Sequence, residues 1–531
     1  QVSGFAMSGF TDSIIFELSP YLEEADVMRL ATTCHAVAEI VKRTITTITL
    51  TTRHPSAVKD YVGLREMIVN LRPSKLKQKL TDYPPNLTSL VSFVNLETEI
   101  PRLPRSITKF QNYYRGCETM SGFPNGIVEL TANSVSPAGL HHYKFIEKVK
   151  TYKEIYYNAG DTLAFPSTIT DLHLGEITRM SAEQWGELPK SLTSFHFSIY
   201  DGKNIDGNIM LKNLPIGLRS LTCFFPEWKF STNDYVNEGV VRFSIYSSGH
   251  DDLIFDSRML PSTLKSLHCG VDLVNSFGMP KGITELDIDV GRINDFRPPI
   301  LEFLESIEMS RSHDDLKWCF SPFLVRFNIT ASFMFIENEH ILAFPVTLTE
   351  ISGIQVRDSG TAYDFSRLVN VKIFKGTFNS SSQLIFPPNV TKLNYWGSKR
   401  QILPPSLTEL ETDALSFTGD DQINPRSYSA SFAISAIPKS VTHLCAFFLR
   451  VGEVDGEFSL PNVTSFSFTH ITRNDGLEDC GLKLISSMFP NLKKVESSTL
   501  RIETRLDGDR LVMLAGKRPC WYEGNELKFG N

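Results

Sequence analysis

The chain lacks several features that would assign it to a large class of proteins. No apolar run approaches the roughly 18 residues that a membrane helix needs. The first ten residues, QVSGFAMSGF, have neither the charged nor the apolar region of a signal peptide. The net charge is only −7, and the most basic stretch, KLKQK at 75–79, is short. We therefore expect no membrane partner, no nucleic-acid partner and a cytoplasmic location.

Cysteine is scarce and scattered. The 531 residues contain eight cysteines, and no two of them lie within four residues of each other. The CxxC spacing of many zinc and redox sites is therefore absent. Cys223 and Cys269 fall in segments that alternate like strands, which predicts reduced cysteines that act as small packing residues.

The motifs of common catalytic chemistry are missing as well. The sequence has no GxxxxGK[ST] phosphate loop and no HExxH metal motif. His173, His196 and His268 occupy the same place in separate repeats, but no acidic or cysteine ligand is placed with them. We expect no metal site and no cofactor, and we interpret the chain as a non-enzyme.

What the sequence does have is one phrase, repeated many times. Residues 403–410 read LPPSLTEL, residues 386–393 FPPNVTKL and residues 165–172 FPSTITDL. Fourteen copies begin at Tyr83, Leu103, Phe123, Phe165, Leu188, Leu214, Leu260, Met279, Phe344, Phe386, Leu403, Ile437, Leu460 and Phe489, and weaker copies lie near Val149, Val240, Phe320 and Phe365. The usual step of about 20–24 residues predicts a solenoid. We predict an α+β, mostly β fold, a parallel β solenoid of about 18 turns with a small N-terminal helical module.

The residue types within a phrase predict which way each side chain points. Counted from the leading apolar residue, the template is Φ-P-x-x-Φ-T-x-Φ-x-Φ. The proline lacks an N–H and so belongs outside the strand ladder, whereas the apolar residues after the threonine alternate like a strand. The prediction places Leu172, Leu174, Leu286 and Ile288 inside and Asp171 and Asp287 outside.

Threonine recurs at the sixth place of the phrase. A residue that returns in one register serves the scaffold, so we expect a stacked hydroxyl or a β-branched strand entry. The copies are Thr88, Thr108, Thr170, Thr193, Thr284, Thr349, Thr391, Thr408 and Thr442. The 37 phenylalanines predict a continuous core along the repeats.

The repeated phrase resembles leucine-rich repeats, and more closely the FNIP repeat with its LPxSLTxLxL signature. The resemblance covers residues 80–500. The chain lacks a regular asparagine after the strand, which puts an asparagine ladder in doubt. FNIP proteins occur mainly in amoebae and in the giant viruses that infect them, and many carry an N-terminal F-box. The resemblance implies a protein-binding scaffold.

Residues 11–43 resemble an F-box, because an apolar helix stripe is followed by YLEEADVMRLATTC and a third helical segment. The usual Leu-Pro opening is missing, and CHAV replaces the basic-aromatic ending. In the family this module binds a Skp-type adaptor of a cullin–RING ubiquitin ligase. The resemblance places on the adaptor-facing or internal positions Leu18, Leu22, Val27, Leu30 and Cys34. The alternative is a helical cap that only seals the first repeat.

The remaining segments complete the predicted domain organisation. Residues 1–10 form a tail, 44–80 a cap or connector, 81–474 the repeat solenoid and 475–531 a C-terminal cap. Within the connector we predict a strand over 44–53 and a helix over 56–71. Within the C-terminal cap we predict a helix over 475–489, followed by strands, because an open solenoid end exposes its core.

Two functions fit these patterns. The first is an F-box-type substrate receptor; the second is a structural component of a larger assembly such as a giant-virus particle, with capsid or assembly proteins as partners and the virion as location. In either case the outward strand places are candidate contacts, with the insertion at 416–431 as the rival surface. The candidate target-binding residues are Asp171, His173, His196, His268, Glu285, Asp287, Lys392, Asn394, Glu409 and Glu411.

Overall fold

The computed structural model describes residues 39, 43, 46–50, 60–70, 83–93, 103–113, 124–132, 140, 145–151, 165–177, 182–199, 213–225, 235–247, 254–270, 272–274, 278–288, 301–309, 320–330, 335–356, 362–378, 383–397, 401–416, 431–451, 459–473, 489–497, 502–507, 510–515, 518–523 and 526–529.

Short strands make up most of the described structure. Their bounds are β1 Thr47–Leu50, β2 Glu66–Val69, β3 Ser89–Ser92, β4 Lys109–Asn112, β5 Glu129–Ala132, β6 Lys148–Thr151, β7 Asp171–Ile177, β8 Ser194–Ile199, β9 Ser220–Phe225, β10 Arg242–Ser247, β11 Ile254–Asp256, β12 Ser266–Gly270, β13 Asp272–Val274, β14 Glu285–Ile288, β15 Ser306–Met309, β16 Arg326–Ile329, β17 Phe335–Ile336, β18 Glu350–Val356, β19 Tyr363–Asp364, β20 Ile373–Phe378, β21 Leu384–Ile385, β22 Lys392–Gly397, β23 Glu409–Ser416, β24 Ser431–Ala433, β25 His443–Val451, β26 Ser465–Arg473, β27 Lys494–Ser497, β28 Ile502–Asp507, β29 Arg510–Ala515, β30 Arg518–Glu523 and β31 Glu526–Phe529. The helices are α1 Ala182–Gly186, α2 Asn338–Ala343 and 3₁₀ turns at Ser257–Met259 and Ile434–Ala436. None of the described helices is long and apolar enough to cross a membrane.

The strands pair in parallel in each of the two compact units, Gln1–Leu264 and Lys265–Asn531. In the first unit, β1 to β10 pair in chain order. In the second unit, an unbroken run joins β12, β14, β15, β16, β18, β20, β22, β23, β25, β26 and β27. Strands β27 to β31 then pair antiparallel. Each unit is thus a leucine-rich-repeat-like parallel β solenoid.

The prediction of one array of about 18 turns is not supported. The longest unbroken run within one unit contains eleven strands, from β12 to β27. The prediction assumed that every phrase adds to one ladder, whereas the chain divides between Leu264 and Lys265. The helical module predicted over 11–43 lies outside the described residues except for Glu39 and Arg43.

The proline of the phrase begins a tight turn. Its carbonyl accepts a hydrogen bond from the backbone N–H three residues later, as in Leu407 N to Pro404 O at 3.2 Å and Leu192 N to Pro189 O at 3.1 Å. This is the i to i+3 bond of a β-turn, in which proline needs no N–H of its own. The turn ends at the threonine, where the chain enters the strand.

A second polar place, which the sequence analysis missed, joins successive turns. In many turns the residue three positions before the strand, which is the fourth residue of most phrases, donates to carbonyls that lie two or four positions before the preceding strand. Ser406 Oγ, for example, donates to Val390 O at 2.7 Å and to Pro388 O at 3.0 Å. Serine, threonine and asparagine all fill this place. The donors are Asn86, Ser106, Thr168, Ser191, Thr263, Thr347, Asn370, Asn389, Ser406, Ser440, Asn462 and Asn491. A ladder of serine, threonine and asparagine side chains therefore joins the turns just before the strand. It differs in position and composition from an asparagine ladder after the strand.

The threonines of the sixth place form the stacked hydroxyls that the repeat predicts. Thr408 Oγ1 donates to Thr391 O at 3.0 Å, and Thr442 Oγ1 donates to Thr408 O at 3.2 Å. The same carbonyls accept backbone N–H groups, since Thr408 N and Glu409 N both donate to Thr391 O at 2.8 and 2.9 Å. Each turn is thus fastened to the next at one carbonyl.

The core follows the predicted alternation. Leu172, Leu174, Leu286 and Ile288 are buried, whereas Asp171 and Asp287 keep partial exposure. Phenylalanines from successive turns contact one another, as in Phe374–Phe386 with ring centroids 5.6 Å apart. Such edge-to-face pairs add to the free energy gained by burying their apolar surface. The inward places therefore fix the register, because a slip by one residue would bury the polar set.

The helix predicted over 56–71 is wrong for its second half. Residues 66–69 form β2, which pairs with β1 and β3 in parallel. Leu64, Met67 and Val69 are buried, and the alternation in EMIV extends the sheet by one turn. Tertiary pairing overrides the local helical pattern here. Of the helix predicted over 475–489, only Phe489 is described, and it precedes a turn rather than lying in a helix.

We predict that Ser406→Ala lowers the free energy of unfolding of the second unit by about 1 kcal/mol, because it removes one part-buried hydrogen bond without opening a cavity. Urea unfolding followed by circular dichroism measures the change. The control is Ser435→Ala, an exposed serine outside the ladder, which should change the midpoint little. Equal effects of the two substitutions would contradict a stabilising ladder.

Candidate interaction surface

The outward side chains of the strands form three parallel rows. We call the seventh, ninth and eleventh places of the phrase the first, second and third row. On β23 these are Glu409, Glu411 and Asp413, between the buried Leu410, Thr412 and Ala414. Because neighbouring strands are paired in register, members of one row lie side by side about 4.8 Å apart along the sheet.

The structure places the predicted target-binding residues in these rows, in three separate groups. One group lies on β7 and β8 of the first unit, a second on β12 and β14, and a third on β22 and β23 of the second unit. One outward residue outside this set, Ser352, is buried, since β18 has a register shift around Gly353, whose φ is +72°. Ser352 Oγ lies 2.8 Å from Asn328 Oδ1.

Charges alternate along the first row of the first unit. Lys109, Glu129, Lys148 and Asp171 are register partners on β4 to β7. Lys148 Nζ lies 2.8 Å from Glu129 Oε1 and Lys109 Nζ 3.6 Å from Glu129 Oε2. The hydrogen bond from Lys148 lowers the pKa of Glu129, and the same bond raises the pKa of Lys148. These charges largely neutralise one another, which leaves little net charge for a partner.

Two histidines stack in the second row of the first unit. His173 and His196 are register partners, and their ring centroids are 3.7 Å apart with an interplanar angle of 19°. Burial, then His196 and then Lys150 lower the pKa of His173 to about 3. Burial and Lys150 lower the pKa of His196, while Asp171 opposes them. Both rings are therefore neutral near pH 7, and the stack is a flat, weakly polar surface.

In the two groups of the second unit, on β12 and β14 and on β22 and β23, some charged side chains form ion pairs and others do not. His268 Nδ1 lies 2.5 Å from Asp287 Oδ2, and Lys392 Nζ lies 2.7 Å from Glu409 Oε2. The hydrogen bond that Lys392 donates to Glu409 raises the pKa of Lys392. Glu285 and Glu411, in contrast, are exposed, and no residue that the structure describes forms an ion pair with either.

The third row is not part of the ten-residue template, which ends one place before it. Trp396, Asp413 and Phe447 occupy this row on β22, β23 and β25. The rings of Trp396 and Phe447, on either side of β23, approach to 5.9 Å between centroids. Extending the alternation by one residue beyond Tyr395 in KLNYWG predicts an outward tryptophan.

Metal-binding groups are not assembled in the described part of the chain. No three His, Cys, Asp or Glu side chains there are placed to share an ion. Cys445 lies in the second row beside Glu411, and burial raises the pKa of its thiol. Cys223 is buried, and burial raises its thiol pKa well above the ordinary value. Both thiols are therefore protonated at neutral pH and weak nucleophiles.

Comparison with known proteins gives structural similarity only. No protein-family model and no curated protein sequence matches the chain. A solved structure of CroV588, described as a novel circular LRR protein, is 12% identical over 88% of this chain and 76% of that chain, with a TM-score of 0.49. The TLR13–ssRNA13 complex is 15% identical over 86% and 71%, with a TM-score of 0.48. YopM from Yersinia enterocolitica is 13% identical over 92% and 100%, with a TM-score of 0.34. The solenoid assignment accordingly rests on the strand pairing and ladders described above.

We predict that the histidine stack makes the first unit lose stability as pH falls. The folded-state pKa of His173 is about 3, below its ordinary value of 6.5, so between these values the unfolded chain binds the extra proton. The contribution of the neutral His173 ring to the free energy of unfolding is fully present above pH 6.5 and declines towards pH 3. His173→Gln removes this titration, so its urea midpoint relative to wild type should rise as pH falls from 7.5 to 4.5.

A substitution in the neighbouring row provides the control for the histidine prediction. Ser194→Ala, also on β8, removes no titrating group, so its difference from wild type should stay constant across the same pH range. A constant difference for His173→Gln as well would show that the stacked rings titrate alike in both states.

Proposed function

We propose that this chain is a protein-binding scaffold, non-enzymatic, whose outward rows contact the partner. The observation that carries the proposal is the contrast within each turn. Backbone, inward side chains and ladder residues repeat from turn to turn, whereas the rows change from Lys–Glu pairs to stacked histidines to exposed carboxylates. A rigid ladder with variable outward side chains is how solenoids present a recognition surface.

The finer form of the proposal is an F-box-type substrate receptor. Residues 11–43 would bind a Skp-type adaptor of a cullin–RING ubiquitin ligase in the cytoplasm, and the repeat rows would bind the target. Support comes from the apolar spacing of Leu18, Leu22, Val27, Leu30 and Cys34 and from its resemblance to the F-box. These five residues lie outside the described part of the chain.

An exposed apolar edge favours the second candidate, a structural component of a larger assembly such as a virus particle. Phe303 and Phe323 fill the fourth, ladder place in successive turns and remain 52% and 54% exposed, with ring centroids 6.2 Å apart. Val346 and Val369 continue the exposed edge in the next two turns. A continuous apolar edge of this kind suits a permanent contact with assembly proteins.

We predict that mass spectrometry of proteins co-purified with the native chain separates these candidates. A substrate receptor should bring adaptor and cullin peptides, and the double change Leu18→Asp plus Leu22→Asp should abolish their recovery. The control is Glu23→Gln plus Glu24→Gln in the same segment, and circular dichroism must show the solenoid intact. Full recovery by an intact double mutant would refute the F-box assignment, and capsid proteins in place of cullin would favour the assembly.

We predict that the rows, rather than the turn edge, carry the target contact. Changing Glu285, Asp287, Glu409 and Glu411 together to Lys should weaken binding of a co-purified partner by about tenfold or more. The introduced lysines would repel the cationic groups of the partner that these carboxylates attract. Deletion of 418–428 tests the rival insertion, whose residues 417–430 lie outside the described part. The control is Glu302→Lys plus Glu305→Lys beside Phe303. Loss of binding in that control alone would place the contact at the turn edge.

A further inference from the structure

We propose that Trp396, Phe447, Glu411 and Asp413 form a recognition site for an arginine side chain of the bound partner protein. We call these four residues the aromatic–acidic cluster. The inference rests on the proposed scaffold function and assigns one chemical feature of the partner. It concerns the second unit alone.

Strand register brings the cluster together. Tyr395 on β22 pairs with Thr412 on β23, and Thr412 pairs with Ala446 on β25. The next residue on each strand, Trp396, Asp413 and Phe447, therefore lies in the third row on three adjacent strands. Glu411 lies two residues before Asp413 on the same outward face. Asp413 thus has an aromatic residue on each side in its row, Trp396 and Phe447, and a second carboxylate, Glu411, beside it on the same strand.

The rings of the cluster are not part of the core. Tyr395, one residue before Trp396, is 1% exposed, whereas Phe447 is 37% exposed. Phe447 packs edge-on against Phe448 at 4.9 Å and lies 5.9 Å from Trp396, so its position is held by neighbours while part of its surface meets solvent. A held, half-exposed aromatic pair is typical of the residues that dominate protein interfaces.

The charges around the cluster indicate the charge of the partner group that would bind there. Lys392 is paired with Glu409 at 2.7 Å, and Lys375 is 3.9 Å from Glu350. No described residue forms an ion pair with Glu411 or Asp413. Lys392, already paired with Glu409, also interacts with Glu411 through space, so one lysine faces three carboxylates, Glu409, Glu411 and Asp413, and the cluster keeps a net negative charge. An anionic partner group would be repelled, and a purely apolar one would leave these carboxylates desolvated without compensation. A cation is the complementary group.

The combination of rings and carboxylates favours arginine over lysine. A guanidinium is planar, stacks on aromatic faces and can bind a carboxylate through two parallel N–H donors. An ammonium is a compact charge that holds its hydration more strongly. Cation–π contact is best with tryptophan, which is the ring that this row contains.

Two other places on the rows contain only one half of this combination. In the third row of the first unit, Phe224 and Tyr246 stack at 6.3 Å, but the adjoining outward residues Ser198 and Ser244 are not acidic. Near β14, Glu285 is exposed without an aromatic neighbour in its row, because its register partners are Ser266 and Ser306. These places serve as matched controls, one with rings alone and one with charge alone.

The probe for the test is a fluorescein-labelled octapeptide of alternating serine and arginine, compared with its lysine and citrulline counterparts by fluorescence anisotropy on the full chain. We expect the arginine peptide to bind at least about fivefold tighter than the lysine peptide and the neutral citrulline peptide to bind least. Trp396→Ala and Asp413→Asn should each weaken the arginine peptide by about tenfold and remove most of its advantage over lysine.

Controls keep the test independent of folding. Phe224→Ala and Glu285→Gln should leave the arginine preference unchanged. Asp413→Asn is isosteric, and Trp396→Phe retains a ring, so Trp396→Phe should keep part of the preference with unchanged circular dichroism. Retention of the full preference by Trp396→Ala, or its loss in Phe224→Ala, would overturn the proposal.

Two further outcomes also overturn it. Equal affinities for the arginine and lysine peptides would mean that only net charge is sensed. An increase of about tenfold or more on deleting 418–428 would mean that a segment of this chain competes for the cluster, so that no partner is required. The proposed function is judged separately, because a chain that loses its co-purified partner on row charge reversal yet treats arginine and lysine alike keeps the scaffold function and loses only this inference.

Discussion

Hydrogen bonding between successive turns is the constraint on which the remaining structure depends. One carbonyl per turn, such as Thr391 O, accepts two backbone N–H groups and a threonine hydroxyl from the next turn. Serine, threonine or asparagine at the fourth place adds a second fastening a few residues earlier. Because these bonds fix the register at the start of every strand, inward and outward places follow automatically, and the rows become rigid lines of side chains.

The periodic part of this structure was predictable from residue types alone. The proline turn, the stacked threonines and the inward Leu172 and Leu286 follow from φ restriction, β-branching and alternation. Strand β2 was missed because Leu64 and Met67, three residues apart, also fit a helical stripe, and only pairing with β1 and β3 selects the strand. The division at Leu264 and Lys265 has no signature in the phrase, so the number of turns in one run could not be predicted.

The candidate surface was predictable as a set of places but not as chemistry. Sequence placed His173 and His196 outward in the same place, yet only the register makes them stack at 3.7 Å, with burial suppressing their protonation. Likewise, Glu409 and Glu411 look equivalent in sequence, but only Glu409 forms an ion pair with Lys392. Trp396 and Phe447 are 51 residues apart, 447 minus 396, and meet because β23 lies between their strands.

We propose that a partner contacts the outward rows of a rigid ladder. Hydroxyl-radical footprinting of the chain, alone and with its co-purified partner, locates this contact because it reports the exposure of individual side chains. We expect Trp396, Phe447 and His196 to become protected while Phe303 and Phe323 keep their reactivity. Protection of Phe303 and Phe323 with unchanged Trp396 and Phe447 would contradict it.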